Sequence, residues 1–205
     1  MKRALPMIVL SCVTCLAQPR ESRTERYREA RRLYYLGADG DSKKYRDADT
    51  LFTQLYAQDP KNPRLEVYYG SLRLVEASRT WALWKKNSLS QEGIQLLDAA
   101  VDSAPDDLEI RFVRAATTYE LPAFFHRREQ SRQDFDYLVE RAEKAARSGA
   151  FDPRLAAACF YYKAEFLKSG GKSAQAVALW KEATALAPGS RAARESAEEL
   201  RRSQG

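Results

Sequence analysis

From Thr24 onward apolar residues recur at intervals of three and four, and no run shows the period of two that a half-buried strand needs. That pattern predicts helix after helix. The interruptions combine proline, glycine and cap-forming polar residues: Gly37 to Asp41, Asp59 to Pro63, Pro105 to Asp107, Leu121-Pro122, Gly149 to Pro153, Ser169 to Gly171, and Pro188-Gly189. Between them the periodicity predicts helices over about residues 22–36, 43–58, 63–78, 89–104, 106–120, 131–148, 153–168, 172–187 and 190–203. The acidic pairs Asp106-Asp107 and Asp39 with Asp41 fall at such boundaries, where capping and the positive end of the helix dipole account for them. A calcium loop is not expected there, because the chain turns basic at Lys43, Lys44 and Arg46 before alternating oxygen ligands could accumulate.

Self-comparison adds a larger repeat to the helical one. Ala48 to Pro60, Gly93 to Pro105 and Ala176 to Pro188 share a small residue, a bulky one four positions on (Phe52, Leu97, Trp180), a further apolar one (Leu55, Ala100, Ala183) and a terminal proline. A small side chain lets the second helix of a hairpin approach the first. The bulky one fills the space between hairpins, and proline ends the unit. In these features the chain resembles the tetratricopeptide repeat family. The match is best over Leu155 to Pro188, with Phe160, Ala164 and Leu167 on the first helix. It is looser elsewhere, through Val67, Gly70, Ser71 and Leu74 and through Phe112, Ala115, Ala116 and Tyr119, and the units run to about 45 residues against the family's 34. The resemblance implies an all-α fold, a right-handed α-solenoid of about four antiparallel helix hairpins with a C-terminal capping helix, spanning residues 24–205 after a linker at 18–23.

Residues 1–17 read differently. Lys2 and Arg3 precede an apolar run from Ala4 to Val13, and Ala17 stands just before a polar stretch, the order of a secretory signal. The run is short of the ~20 residues of a membrane-spanning helix. The signal is read in three ways: cleavage after Ala17, a lipoprotein box Val9-Leu10-Ser11-Cys12 in which Cys12 is lipidated and becomes the N-terminus, or an anchor that is retained. The box is loose, with Val9 and Leu10 where that family of signals prefers a leucine and a small residue. An exported protein, periplasmic or lipid-anchored to a membrane, is the expectation. Beyond Cys12 and Cys15 only Cys159 remains, within an apolar run, so no internal disulfide is expected.

The chain carries 34 basic and 28 acidic side chains, a net charge of +6, with both signs interspersed as on solvated helix faces. A nucleic-acid partner is not expected, for want of a dense basic stripe. No metal-ligand or cofactor motif stands out, and a catalytic role is not expected. The single histidine, His126, lacks a paired base or nucleophile, and Glu120 is the one carboxylate that would serve a glycan-cleaving site.

Two binding surfaces suggest themselves. Tetratricopeptide first helices line a concave groove, which the resemblance places at Tyr68, Leu72, Arg111, Arg114 and Tyr161. Tyr34-Tyr35, Tyr68-Tyr69 and Tyr161-Tyr162 recur as pairs on those helices, suited either to packing or to meeting a ligand. The family's carboxylate clamp is not matched, since Arg73, Arg111 and Arg114 come without its asparagines. The second surface is two inserts between hairpin helices, Arg79 to Asn87 and Leu121 to Arg128, predicted to be neighbours. They would join Trp81, Trp84, Phe124, Phe125 and His126 into an aromatic patch with a cationic rim, which binds or merely packs. The expected function is a non-enzymatic interaction or scaffold protein of the bacterial envelope with a protein or peptide partner. The alternative is a periplasmic small-molecule-binding accessory of a solute transporter.

Overall fold

The computed structural model describes residues 22–203; the expected signal at 1–17, with the Cys12 lipidation site and most of the 18–23 linker, lies outside the described residues. Those residues form nine α-helices, one 3-10 turn and no strand. The helices are α1 Arg23–Ala38, α2 Ser42–Gln58, α3 Pro63–Arg79, α4 Leu83–Ser103, α5 Leu108–Tyr119, α6 Arg128–Arg147, α7 Pro153–Ser169, α8 Ser173–Leu186 and α9 Arg191–Arg202, and the 3-10 turn is Ala123–Phe125. Each helix packs on its neighbours in chain order. In addition α3 meets α5, α5 meets α7 and α7 meets α9, an all-α, solenoid-like stack.

Local chemistry sets most helix starts. Ser22 and Glu25 form a capping box, and the carboxylates of Asp41, Asp107 and Asp152 and the Asn62 amide oxygen accept first-turn backbone N–H groups. Pro63 and Pro153 follow their caps at the first helical position, where a missing N–H costs nothing. Asp107 Oδ1 accepts from Glu109 N at 3.0 Å and Ile110 N at 3.2 Å, the capping role read for it from sequence.

Two boundaries differ from expectation. Helix α4 begins at Leu83, not near 89: no breaker stands between Leu83 and Asn87, so the backbone coils as soon as Lys86 N reaches Ala82 O, at 2.8 Å. Most of the first insert is therefore helix, joined to α3 by Thr80 to Ala82 alone. The second insert becomes the 3-10 turn and a short connection, with α6 starting at Arg128.

The self-similar segments occupy equivalent places. Ala48, Phe52 and Leu55 on α2 and Gly93, Leu97 and Ala100 on α4 are buried, as are Ala176, Trp180 and Ala183 on α8. Helix α6 holds a fourth copy, Ser131, Phe135 and Leu138, in the same buried register. Its small residue is polar, and Ser131 Oγ donates to the Ala115 carbonyl at 2.8 Å, which removes the cost of burying it. Helix α6 then runs on through Arg147, so no proline marks the unit's end.

Helices α3 and α4 approach each other closely. A Cβ on Gly93 would lie 2.7 Å from the Gly70 carbonyl oxygen, and one on Gly70 would lie 2.8 Å from Leu96 Cβ. Glycine at both places lets the two backbones touch.

Candidate functional site

The expected groove residues do not form one surface. Tyr68 is 0% exposed, stacked on Phe52 with ring centroids 4.5 Å apart, and Leu72 is buried beside it. Tyr68 Oη donates to Glu109 Oε1, which spends its one proton, so Tyr35 Oη must be the donor in the 2.9 Å contact between the two phenols. Arg31 on α1 completes this network. Its Nε reaches Glu109 Oε1 at 2.6 Å and its Nη2 lies 3.6 Å from Asp152, tying α1 to α5 and to the start of α7. Burial together with the Glu109 charge holds the Tyr35 and Tyr68 phenols well above the ordinary tyrosine range.

Arg111 and Arg114 are likewise committed internally. Asp134 on α6, 1% exposed, accepts from Arg111 Nη1 at 2.7 Å and from Arg114 through Nε and Nη2 at 2.9 and 2.8 Å. Asp98 on α4 balances the second cation, bonding Arg114, Arg127 and Gln130. Arg111 also lies over the Tyr137 ring, 4.1 Å from its centroid. These arginines clamp α4, α5 and α6 together and present no guanidinium edge free for a partner's carboxylate.

A cavity does open between α1, α5, α7 and α9, where Tyr161 is found. A half-open cavity of about 310 Å³ has Phe112, Val113 and Leu155 as its floor, Tyr34, Tyr35, Tyr161 and Tyr162 on its walls and Arg154, Arg191, Arg194, Asp39 and Glu195 at its rim. Arg191 Nη1 donates to the Ala38 carbonyl at 2.8 Å, joining the last helix to the end of the first. Helices near the two ends of the described stack thus close around the cavity. Two of the rim cations have carboxylate partners, Arg154 in Asp152 at 2.8 Å and Arg191 in Glu195 at 2.7 Å, and Arg194 donates to the Gly189 carbonyl. The Tyr161 and Tyr162 phenols have no protein hydrogen bond among the described residues, and burial pushes both pKa values upward, so they are neutral donors at any physiological pH. Two of the three tyrosine pairs meet here, whereas Tyr69 stacks outward on Tyr56. The contribution of α9 was not read from the sequence, which treats that helix only as a cap; the Ser190 N-cap followed by Arg191, Arg194 and Glu195 on successive turns is the signal that marks it.

The two inserts stay separate among the described residues. Trp81 and Trp84 pair edge-on with centroids 6.4 Å apart, Phe124 and Phe125 pair at 4.4 Å, and no ring contact joins one pair to the other. The reason lies in helix α4. Arg127, near the end of the second insert, bonds Asp98, which is ~20 Å along the helix axis from Trp84 at 1.5 Å per residue. Trp81, Leu83 and Trp84 are 86%, 77% and 75% exposed and Phe124 is 71% exposed. His126 has a left-handed backbone, φ 55°, at the end of the 3-10 turn and is exposed.

No group of three or more metal-ligating side chains occurs among the described residues. Cys159 is buried on α7, where burial raises its thiol pKa and makes it a packing residue, not a nucleophile. No described helix is long and apolar enough to cross a membrane. Comparison with protein-family models, with curated proteins and with solved structures finds no match for this chain.

Proposed function

We propose that this chain is a non-enzymatic, exported binding protein of the bacterial envelope, built as a right-handed tetratricopeptide-like stack of about four hairpins capped by α9, which holds a partner polypeptide in the cavity between α1, α5, α7 and α9. The repeated small–bulky–apolar register on α2, α4, α6 and α8 supports the repeat assignment. The observation that carries the binding role is the cavity itself: an apolar floor beneath two tyrosine hydroxyls without protein partners, rimmed by both charge signs. An apolar side chain fits the floor, and the phenols and rim suit the peptide groups on either side of it. The expected site thereby moves from Tyr68, Leu72, Arg111 and Arg114, which are consumed by packing and ion pairs, to Tyr161 and its neighbours.

A second reading, a small solute as ligand, is favoured by one observation. The Arg191 bond to Ala38 closes one side of a volume of about 310 Å³, close to the ~300 Å³ lower bound of small-molecule pockets. Ala158→Trp, which fills the cavity from α7, tests both. Partner polypeptide captured from the native envelope is expected to be lost with the melting temperature retained. Native mass spectrometry showing instead a small molecule displaced by the same substitution supports the second reading, and capture unchanged in Ala158→Trp contradicts the site.

A further inference from the structure

The first turns of α4 have no packing role. Residues 83–88 are exposed in succession, more than a full helical turn, so every side of this tip faces away from the fold. Its apolar groups are large and mostly exposed: Trp81 and Trp84 flank Leu83, and the two indoles pair edge-on. Around them stand Arg79, Lys85 and Lys86, and no acidic residue occurs from 77 to 91. Lys85 is tied to Glu76 at 2.9 Å and Arg79 lies over the Tyr45 ring, while Lys86 has no acidic partner among the described residues.

We infer that this tip seats in the headgroup region of an anionic lipid bilayer. The indole ring combines an apolar body with one N–H donor and settles at the water–hydrocarbon boundary, where Leu83 would reach the acyl chains below it and the cations the lipid phosphates beside it. The shape points the same way. Protein hot spots place tryptophan within a ring of surrounding contacts that excludes water, whereas this tip is a narrow projection with no apolar shelf around it. A fluid bilayer deforms to accept such a peg without shape complementarity.

Tryptophan fluorescence reads the contact directly, because Trp180 is buried and the other two indoles are at the tip. The full chain is mixed with vesicles of phosphatidylcholine alone or with phosphatidylglycerol, each carrying brominated acyl chains. The Trp81→Phe, Trp84→Phe double variant gives the Trp180 background. Blue-shifted, bromine-quenched emission on the anionic vesicles is expected, with partitioning reduced about fivefold by Lys86→Gln, the change that one juxtamembrane cation supports. Tip indoles left unquenched on anionic vesicles overturn the inference, even if another segment holds the chain on the vesicle. Equal quenching on both vesicle types, insensitive to Lys86→Gln, overturns the anionic specificity.

Discussion

Asp134 accepts three side-chain hydrogen bonds while almost wholly buried. Two guanidinium groups reach it from α5, and the second carboxylate of the cluster, Asp98, comes from another helix. Removing one partner of a buried pair leaves the other charge desolvated and unpaired, so Asp134→Ala is expected to cost ~3–5 kcal/mol in urea unfolding. A loss below ~1 kcal/mol, the ordinary value of a surface pair, would mean that water has access to the cluster. The tyrosines give a second test at this scale. Burial raises the pKa of Tyr34, Tyr35, Tyr45 and Tyr68 above the ordinary phenol value. The stability these neutral phenols contribute is fully present below the unfolded value of ~10 and is lost as pH rises toward the higher folded values. Tyrosinate absorbance of this cluster should therefore appear only as the helical circular dichroism collapses. A full tyrosinate signal with helicity intact contradicts the burial. Packing was one of two readings open for the tyrosine pairs, but the ion cluster was not legible from residue type: Arg111 and Arg114 read as groove cations, Asp134 is one charge among many of both signs, and only the packing of α5 on α6 brings them together.

Among elements, the α3–α4 pair depends on glycine at its crossing. Alanine ordinarily improves a helix interior by up to ~1 kcal/mol over glycine. At Gly93 a new methyl would meet the Gly70 carbonyl and Leu74 Cγ, both at 2.7 Å. Backbone cannot yield cheaply there, so Gly93→Ala is expected to destabilise by ~1–3 kcal/mol, measured by thermal or urea unfolding. A stabilised Gly93→Ala would show that the helices separate easily. The small residue at this place was visible in the sequence because Ala48 and Ala176 hold the equivalent positions before a bulky residue and a proline. Helix α6 escaped the same comparison because Ser131 is polar and no proline follows Leu138 at the shared distance. The start of α4 escaped for a different reason. Ala82 offers no side-chain cap, and the tryptophans read as loop aromatics although Leu83 to Lys86 coil without hindrance. Where caps are explicit, at Asn62, Asp107 and Asp152, expected and observed helix starts agree within two residues.

For the whole molecule the consequential property is closure. An open solenoid would leave all its first helices facing a groove, as the family resemblance implies, and Tyr68 and Leu72 would then lie on its floor. Instead the Arg31 network draws α1 onto α5 and toward the start of α7, and Arg191 joins α9 to the end of α1. Tyr68 and Leu72 of α3 are buried, and a cavity opens beside α7 and α9. That curvature is a sum of small side-chain choices over several helices, and no local pattern announces it. The tyrosine pairs were visible, but which of them would line a cavity was not. The claim that this cavity is where the chain binds is tested most directly by placing a photo-cross-linking azidophenylalanine at Tyr161 and, separately, at Gln95 on the outside of α4, then irradiating in native envelopes. One defined polypeptide adduct is expected from position 161, absent in the Ala158→Trp background, and no such adduct from position 95. Adducts of equal yield from both positions, or an adduct at 161 that survives Ala158→Trp, would contradict it.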